Sequence, residues 1–115
     1  MAWELSFDGH PPGPNDRLHW AKKAGLTSAW REMSMLKAQA AGIPPQQRVR
    51  LSARFLRRRL GVADEDNDRS RLKPCVDGLV DAGLVPKDTR GHIEWGAVTE
   101  EHGAPGFILV IEAVA

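Results

Sequence analysis

The sequence predicts an α/β (α+β) domain in the order βαβαββ, a small mixed sheet packed with two helices. Three observations predict it. Several stretches alternate apolar and polar residues with a period of two, as half-buried strands do. Two others repeat apolar residues at helical spacing, and the breaks between all of these fall at glycine and proline. At 115 residues the chain fits one domain, residues 1–115, with one core and without repeats, linkers or low-complexity tracts.

In chain order, "WELSF" sets Trp3, Leu5 and Phe7 against Glu4 and Ser6, which predicts the first strand. "DGHPPGPND" then forbids regular structure. From about Thr27 to Ala41, Ala29, Met33, Leu36 and Ala40 share a helical face, and Gly42 with Pro44 and Pro45 supplies the stop. "RVRLSARFL" buries Val49, Leu51, Ala53 and Phe55 and shows Arg48, Arg50, Ser52 and Arg54 on its other face. Leu72, Val76 and Leu79 form the stripe of a second helix from roughly Ser70 to Ala82, capped at Gly83. Because a proline inside a helix lacks a donor and clashes, this helix either begins near Ser70 or kinks at Pro74. Ile93, Trp95 and Ala97 alternate within 92–98, and "FILVIEA" follows at 107–113, giving two strands joined by "TEEHGAPG". The tryptophans, Trp3, Trp20, Trp30 and Trp95, and the helix residue Cys75 are expected in the core.

Apolar residues at 42% and charged residues at 27% are ordinary globular values, and no apolar run approaches the ~20 residues of a membrane span. The start, with Glu4 and no apolar segment, predicts no secretory signal. A single cysteine excludes an intrachain disulfide and points to a reducing cytosol. His10, His19, His92 and His102 are too scattered for a zinc site.

The net charge of +1 hides a sharp partition. Residues 48–59 hold arginines and no acid, while "DEDND" at Asp64–Asp68 holds acids and no base. Asp64 and Asp66 leave the end of a strand and meet the start of a helix, where open α/β sheets tend to place their sites. Asp77 lies one turn after Lys73, and Asp88 follows in the next loop. Mg2+ takes oxygen ligands from a few carboxylates and leaves room for phosphate, so Asp64, Asp66, Asp77 and Asp88 are candidate ligands. A calcium EF-hand is excluded, because Arg69 stands where that loop needs glycine and Cys75 where it needs glutamate.

The pattern "DEDN" followed by "LKPCVDGLVDAGLVPKD", with "HPPGPNDRLHWAKKA" upstream, resembles the RusA family of Holliday junction resolvases. The family shares a D-x-D-N loop, a lysine, a D-[AG]-L helix segment and a D-D pair in this order, and the order of elements extends the likeness over nearly the whole chain. The resemblance implies an α/β homodimer that cuts four-way DNA junctions with Mg2+. It implies Asp64, Asp66, Lys73 and Asp88 as catalytic residues, and Asp64, Asp66, Asp77 and Asp88 as metal ligands. Asn67 matches the loop asparagine, in an orienting role. Two departures stand out. Lys87 replaces the first acid of the pair, and Lys73 lies six residues after Asn67, farther than in the shorter motif, which brings Arg69 and Arg71 forward as substitutes.

The chemistry agrees with the likeness. Phosphodiester hydrolysis needs an activated water and a counter-charge for the phosphate, which carboxylate-held Mg2+ and a nearby ammonium supply. DNA must also be attracted to a site whose own acids repel it, and Arg50, Arg54, Arg57, Arg58 and Arg59, with Lys22 and Lys23, are the candidate phosphate contacts. The expected function is a Mg2+-dependent endonuclease on branched DNA in the cytosol of a bacterium or phage-infected host, with no membrane association. The alternative is a degenerate relative that binds branched or duplex DNA without cutting, and a third is a small metal-binding or regulatory protein.

Overall fold

A computed structural model describes residues 1–14, 16–61 and 64–114. Among them the elements run β1 (Ala2–Asp8), α1 (Trp20–Ala40), β2 (Val49–Arg57), α2 (Glu65–Arg71), α3 (Lys73–Asp81), β3 (Ile93–His102) and β4 (Gly106–Ala113). The strands form one mixed sheet in the order β1-β4-β2-β3. In it β4 is antiparallel to β1 and to β2, while β2 and β3 are parallel and joined across α2 and α3. The predicted mixed sheet with helices is the fold observed. No helix among the described residues is long and apolar enough to cross a membrane.

Strand alternation divides the sheet into two faces. Leu5, Phe7, Leu51, Phe55, Phe107 and Leu109 point to the buried face, where Phe7 stacks on Phe107 at 4.5 Å and Trp30 of α1 meets both rings at 6.1 and 5.9 Å. The opposite face carries Glu4, Arg50, Arg54 and Glu112, and among the described residues no helix packs on it.

Expectations for three elements need correction. The buried face of α1 is Trp30, Ser34 and Ala38, whereas Met33 and Leu36 of the expected stripe are 37% and 51% exposed. The reason is a close crossing with α3. A methyl group on Gly78 would lie 2.8 Å from the Ser34 Cβ and 3.0 Å from the Met35 nitrogen, and closer still to the Arg31 carbonyl. Only small residues fit that contact, and the Ser34 hydroxyl is satisfied there by donating to the Cys75 carbonyl at 2.7 Å. Helix α1 also begins earlier than expected, at Trp20, which is 77% exposed and not in the core.

The second helix is two. Asp64 caps α2, the chain breaks at Leu72, and Pro74 lies in the first turn of α3, where its missing N–H costs nothing. The break falls ahead of Pro74 because a continuous helix would drive the ring into the carbonyl four residues back. The predicted stripe survives it, with Leu72, Val76 and Leu79 all buried.

Finally, β3 runs on to His102 through a bulge. Leu51 pairs with Trp95 but Ala53 pairs with Val98, so β3 carries one residue more than its partner. Gly96 makes room for this, since a side chain there would collide with the Ser52 hydroxyl. Ala97, expected inside, is exposed, and Val98 takes the inward position.

The helix crossing predicts opposite effects for two glycines of helices. Gly78→Ala should lower stability by roughly 1–3 kcal/mol through overpacking. Gly25→Ala, with nothing within 4 Å of its added carbon, should raise it by about 0.5–1 kcal/mol. Urea unfolding midpoints of the two variants check this, and equal shifts would contradict the crossing.

Candidate functional site

The acidic segment follows the C-terminal end of β2. Asp64 accepts the Asn67 backbone N–H at 2.8 Å and the Asn67 side-chain amide at 3.1 Å, so it closes the first turn of α2 and Asn67 fixes its carboxylate. Asp66 stands exposed on the same turn. One helix length away, about 10 Å at 1.5 Å per residue, Lys73 starts α3. Its ammonium donates to Asp77 at 2.9 Å and also to Asp88, which arrives from the loop after α3. Three of the expected site residues thus meet, Lys73, Asp77 and Asp88, while Asp64 and Asp66 stand at the other end of α2. Among the described residues no three acidic, histidine or cysteine side chains form a ready-made metal cage.

Hydrogen bonds donated to Asp88 and then Asp77 raise the Lys73 pKa, and the first of these bonds holds the Asp88 carboxyl below its ordinary value. Both partners move in the direction that keeps the pair charged. Cys75, behind this surface, is fully buried, and desolvation pushes its thiol up to about 12, so it is no nucleophile at neutral pH.

The arginines divide by destination. Arg50 lies 3.5 Å from Glu94 and 4.0 Å from Glu112, and Arg54 lies 3.5 Å from Glu4 and 3.7 Å from Glu101. Both are therefore balanced by acids on the open sheet face. Arg57, expected in an exposed basic run, turns inward: at 12% exposure its guanidinium grips both oxygens of the buried Asp68 and bonds Glu100 at 3.3 Å. Arg58 and Arg59 are exposed and make no ion pair among the described residues, as does Lys22. The Lys23 ammonium donates to the Gly13 carbonyl at 3.1 Å. Of the possible substitutes for Lys73, Arg69 pairs with Glu65 and lies over Trp95, and Arg71 is committed to the N-terminal loop.

Sequence reasoning missed two anchors. In one, Arg71 donates to the Pro11 carbonyl at 3.0 Å and to Asp16 at 3.2 Å, packed where Gly13 leaves no side chain. The Gly13 N–H, and then Arg71, holds the Asp16 carboxyl below its usual range. In the other, a His10 ring nitrogen bonds the carbonyls of Leu56 and Gly106, tying the same loop to the sheet. No local pattern signals partners 46 to 96 residues apart.

Two outcomes follow. Arg57→Ala should cost about 3–5 kcal/mol, because it strands the Asp68 carboxylate in the interior, whereas Arg58→Ala should leave thermal stability unchanged. The Lys73 cluster has a defined pH window. The Asp88 share of its stability is present above the unfolded carboxyl value near ~3.9 and is lost as pH falls through the lower folded value. The Lys73 share is complete below ~10.4 and is lost as pH rises through its raised folded value. The stability deficit of Lys73→Met, followed by urea unfolding, should therefore hold from about pH 5 to 9 and close below about pH 4. A deficit independent of pH would show that packing, not charge, holds Lys73.

No family model matches this chain, and a search of curated proteins gave no match either.

Proposed function

We propose that this protein is a Mg2+-dependent endonuclease that resolves four-way DNA junctions by phosphodiester hydrolysis, acting as a homodimer in the cytosol of a bacterium or phage-infected cell. The observation that carries the reading is the meeting of Lys73, Asp77 and Asp88, drawn from two segments and matched by the RusA resemblance. Two carboxylates that converge on one ammonium also lie within reach of one cation. Mg2+ suits such a pair, since it binds through one or two carboxylates plus substrate phosphate and keeps its remaining waters. Asp77 and Asp88 would hold it, whereas Asp64 and Asp66, at the other end of α2, stand too far away to ligate the same ion. Bound Mg2+ supplies a nucleophilic water at neutral pH and a counter-charge for the phosphate. Lys73 offers its ammonium to the phosphate oxygens, and Arg58, Arg59 and Lys22 supply the attraction that brings DNA to an acidic surface.

A second reading is favoured by the same cluster. Lys73 already pairs with both Asp77 and Asp88, and Lys87 stands where the resemblance expects an acid, as in a relative that binds branched DNA without cutting it.

Incubation with a synthetic four-way junction decides between them. The first reading expects products only with Mg2+, and expects Asp77→Asn and Asp88→Asn to cut at least about a hundredfold more slowly. Binding should survive or tighten, as each change removes a charge that repels phosphate. A shifted band without products selects the second reading. Cleavage by Asp88→Asn at the unmodified rate removes the site assignment.

A further inference from the structure

One depression adjoins the Lys73 cluster, and a second neighbours it, with Val80 and Pro86 bordering both; the pair is termed the trough. The nearer, about 260 Å³, is bounded by Arg31, Asp77, Lys87, Asp88 and Thr89. The farther, about 390 Å³, is bounded by Pro45, Val85 and Gly83 and by Gln46 and Gln47. Charge at one end gives way to prolines, valines and two glutamine amides at the other.

Each end has spare bonding capacity. Arg31 spends Nε and one Nη2 hydrogen on Asp81, at 2.6 and 2.8 Å, leaving the rest of its five donors. Lys87 is exposed and makes no ion pair among the described residues. The Gln46 amide nitrogen donates to the Pro44 carbonyl at 3.0 Å, which leaves its oxygen, and the Gln47 amide makes no hydrogen bond among the described residues. The backbone beneath these side chains is fixed. Gln46 donates to the Leu84 carbonyl at 2.7 Å, and His92 Nδ1 bonds the Gln47 carbonyl at 2.8 Å.

We propose that this trough binds a single unpaired nucleotide, the one flanking the phosphate at Lys73. Its own phosphate rests on Lys87 and Arg31. Its base lies against Val80, Val85 and Pro86, and its edge is read by Gln46 and Gln47, whose amides both donate and accept as base edges require. The cations at the near end favour a nucleotide over a neutral heterocycle, and the free amides favour a base whose edge is unpaired. The assignment rests on the reading of Lys73, Asp77 and Asp88 as the phosphodiester site. Lys87 thereby gains a role that an acid at that position could not fill.

The test uses the intact chain and the four deoxynucleoside 5′-monophosphates, followed by amide chemical shifts in NMR. Shifts should concentrate at residues 45–47, 80 and 83–88, and affinity should fall at least about fivefold in Lys87→Ala and in the Gln46→Ala/Gln47→Ala double variant. In parallel, junctions varied at the nucleotide beside the cut are offered to wild type and the double variant. A preference of about tenfold in the wild type, the discrimination one amide–base pair supplies, should fall to within about twofold. Shifts outside the trough, unchanged affinity in both variants, or an unchanged cutting preference overturns the assignment. Absence of cleavage with shifts confined to the trough leaves the nucleotide site standing and removes the endonuclease reading instead.

Discussion

The rest of the structure turns on the Arg57–Asp68–Glu100 ion triad, because it is where three separate segments are forced into one geometry. Asp68 is 6% exposed at the side chain, and a carboxylate so buried is tolerable only when its partners are exact in place. Arg57 comes from the end of β2, Asp68 from the middle of α2 and Glu100 from β3 beyond its bulge. The bulge is essential to this. Ile93 and Trp95 take the inward positions before it, and unbroken alternation would turn Glu101 toward Arg57 and Glu100 away. With one residue added at Gly96, Glu100 turns to Arg57 and Glu101 to Arg54 on the open face. The Glu100 carboxylate also accepts the Gly61 N–H at 2.6 Å, so the chain leaving β2 is pinned by the same group. Once Asp68 is held, α2 can present Asp64 and Asp66 only at its free end. A buried triad of this kind is weak as a source of net stability and strong as a determinant of register.

The abrupt change from arginines to acids in the sequence therefore has a structural cause before any functional one. Arg57 reaches across it to Asp68, and the acids of α2 lie at its positive end, where the helix dipole favours them. What pairing leaves over is uneven. Arg17, Lys22, Lys23, Lys37, Arg58, Arg59, Lys87 and Arg90 make no ion pair among the described residues, against Asp8, Glu32, Asp64 and Asp66. The residue is a modest cationic excess, in keeping with a polyanionic partner but far from a dense basic track.

Strands were legible because period two is local: Leu5 and Phe7, Val49 through Phe55, and Phe107 through Ile111 all lie on the side their alternation implies. The β3 bulge was not, because only the approach of the Ser52 side chain makes Gly96 necessary. The face of α1 was misjudged for a related reason. Hydrophobicity points to Met33 and Leu36, but the crossing with α3 selects for size, and size selects Ser34 against Gly78. At the candidate site, the Lys73–Asp77 pair follows from helical spacing alone. Asp88 does not, since its place beside Lys73 depends on where the loop after α3 returns. Nor does the trough, whose walls come from segments some 35 residues apart and meet through the Gln46–Leu84 hydrogen bond.

With helices on one side only, the sheet must manage its other face by itself. Ile108 and Val110 of the second strand in the order lie there half-buried, with Arg54 directly opposite Ile108 and Arg50 opposite Glu112. Long arginine stems shield apolar neighbours while their heads stay in water. Glu4, Glu94, Glu101 and Glu112 then neutralise those heads. Such a face is protected against edge and face association by its charges, but the arrangement withdraws Arg50 and Arg54 from any distant phosphate. A DNA strand drawn to this protein would meet balanced charge on the open sheet. The unbalanced cations Arg58 and Arg59 stand instead at the end of β2, in the stretch of chain that leads into the Asp64 turn, and Lys87 stands beside Asp88. On the proposed function, the pairing that stabilises the sheet face would also restrict where a nucleic acid binds, leaving attraction to the segments that border the acidic residues.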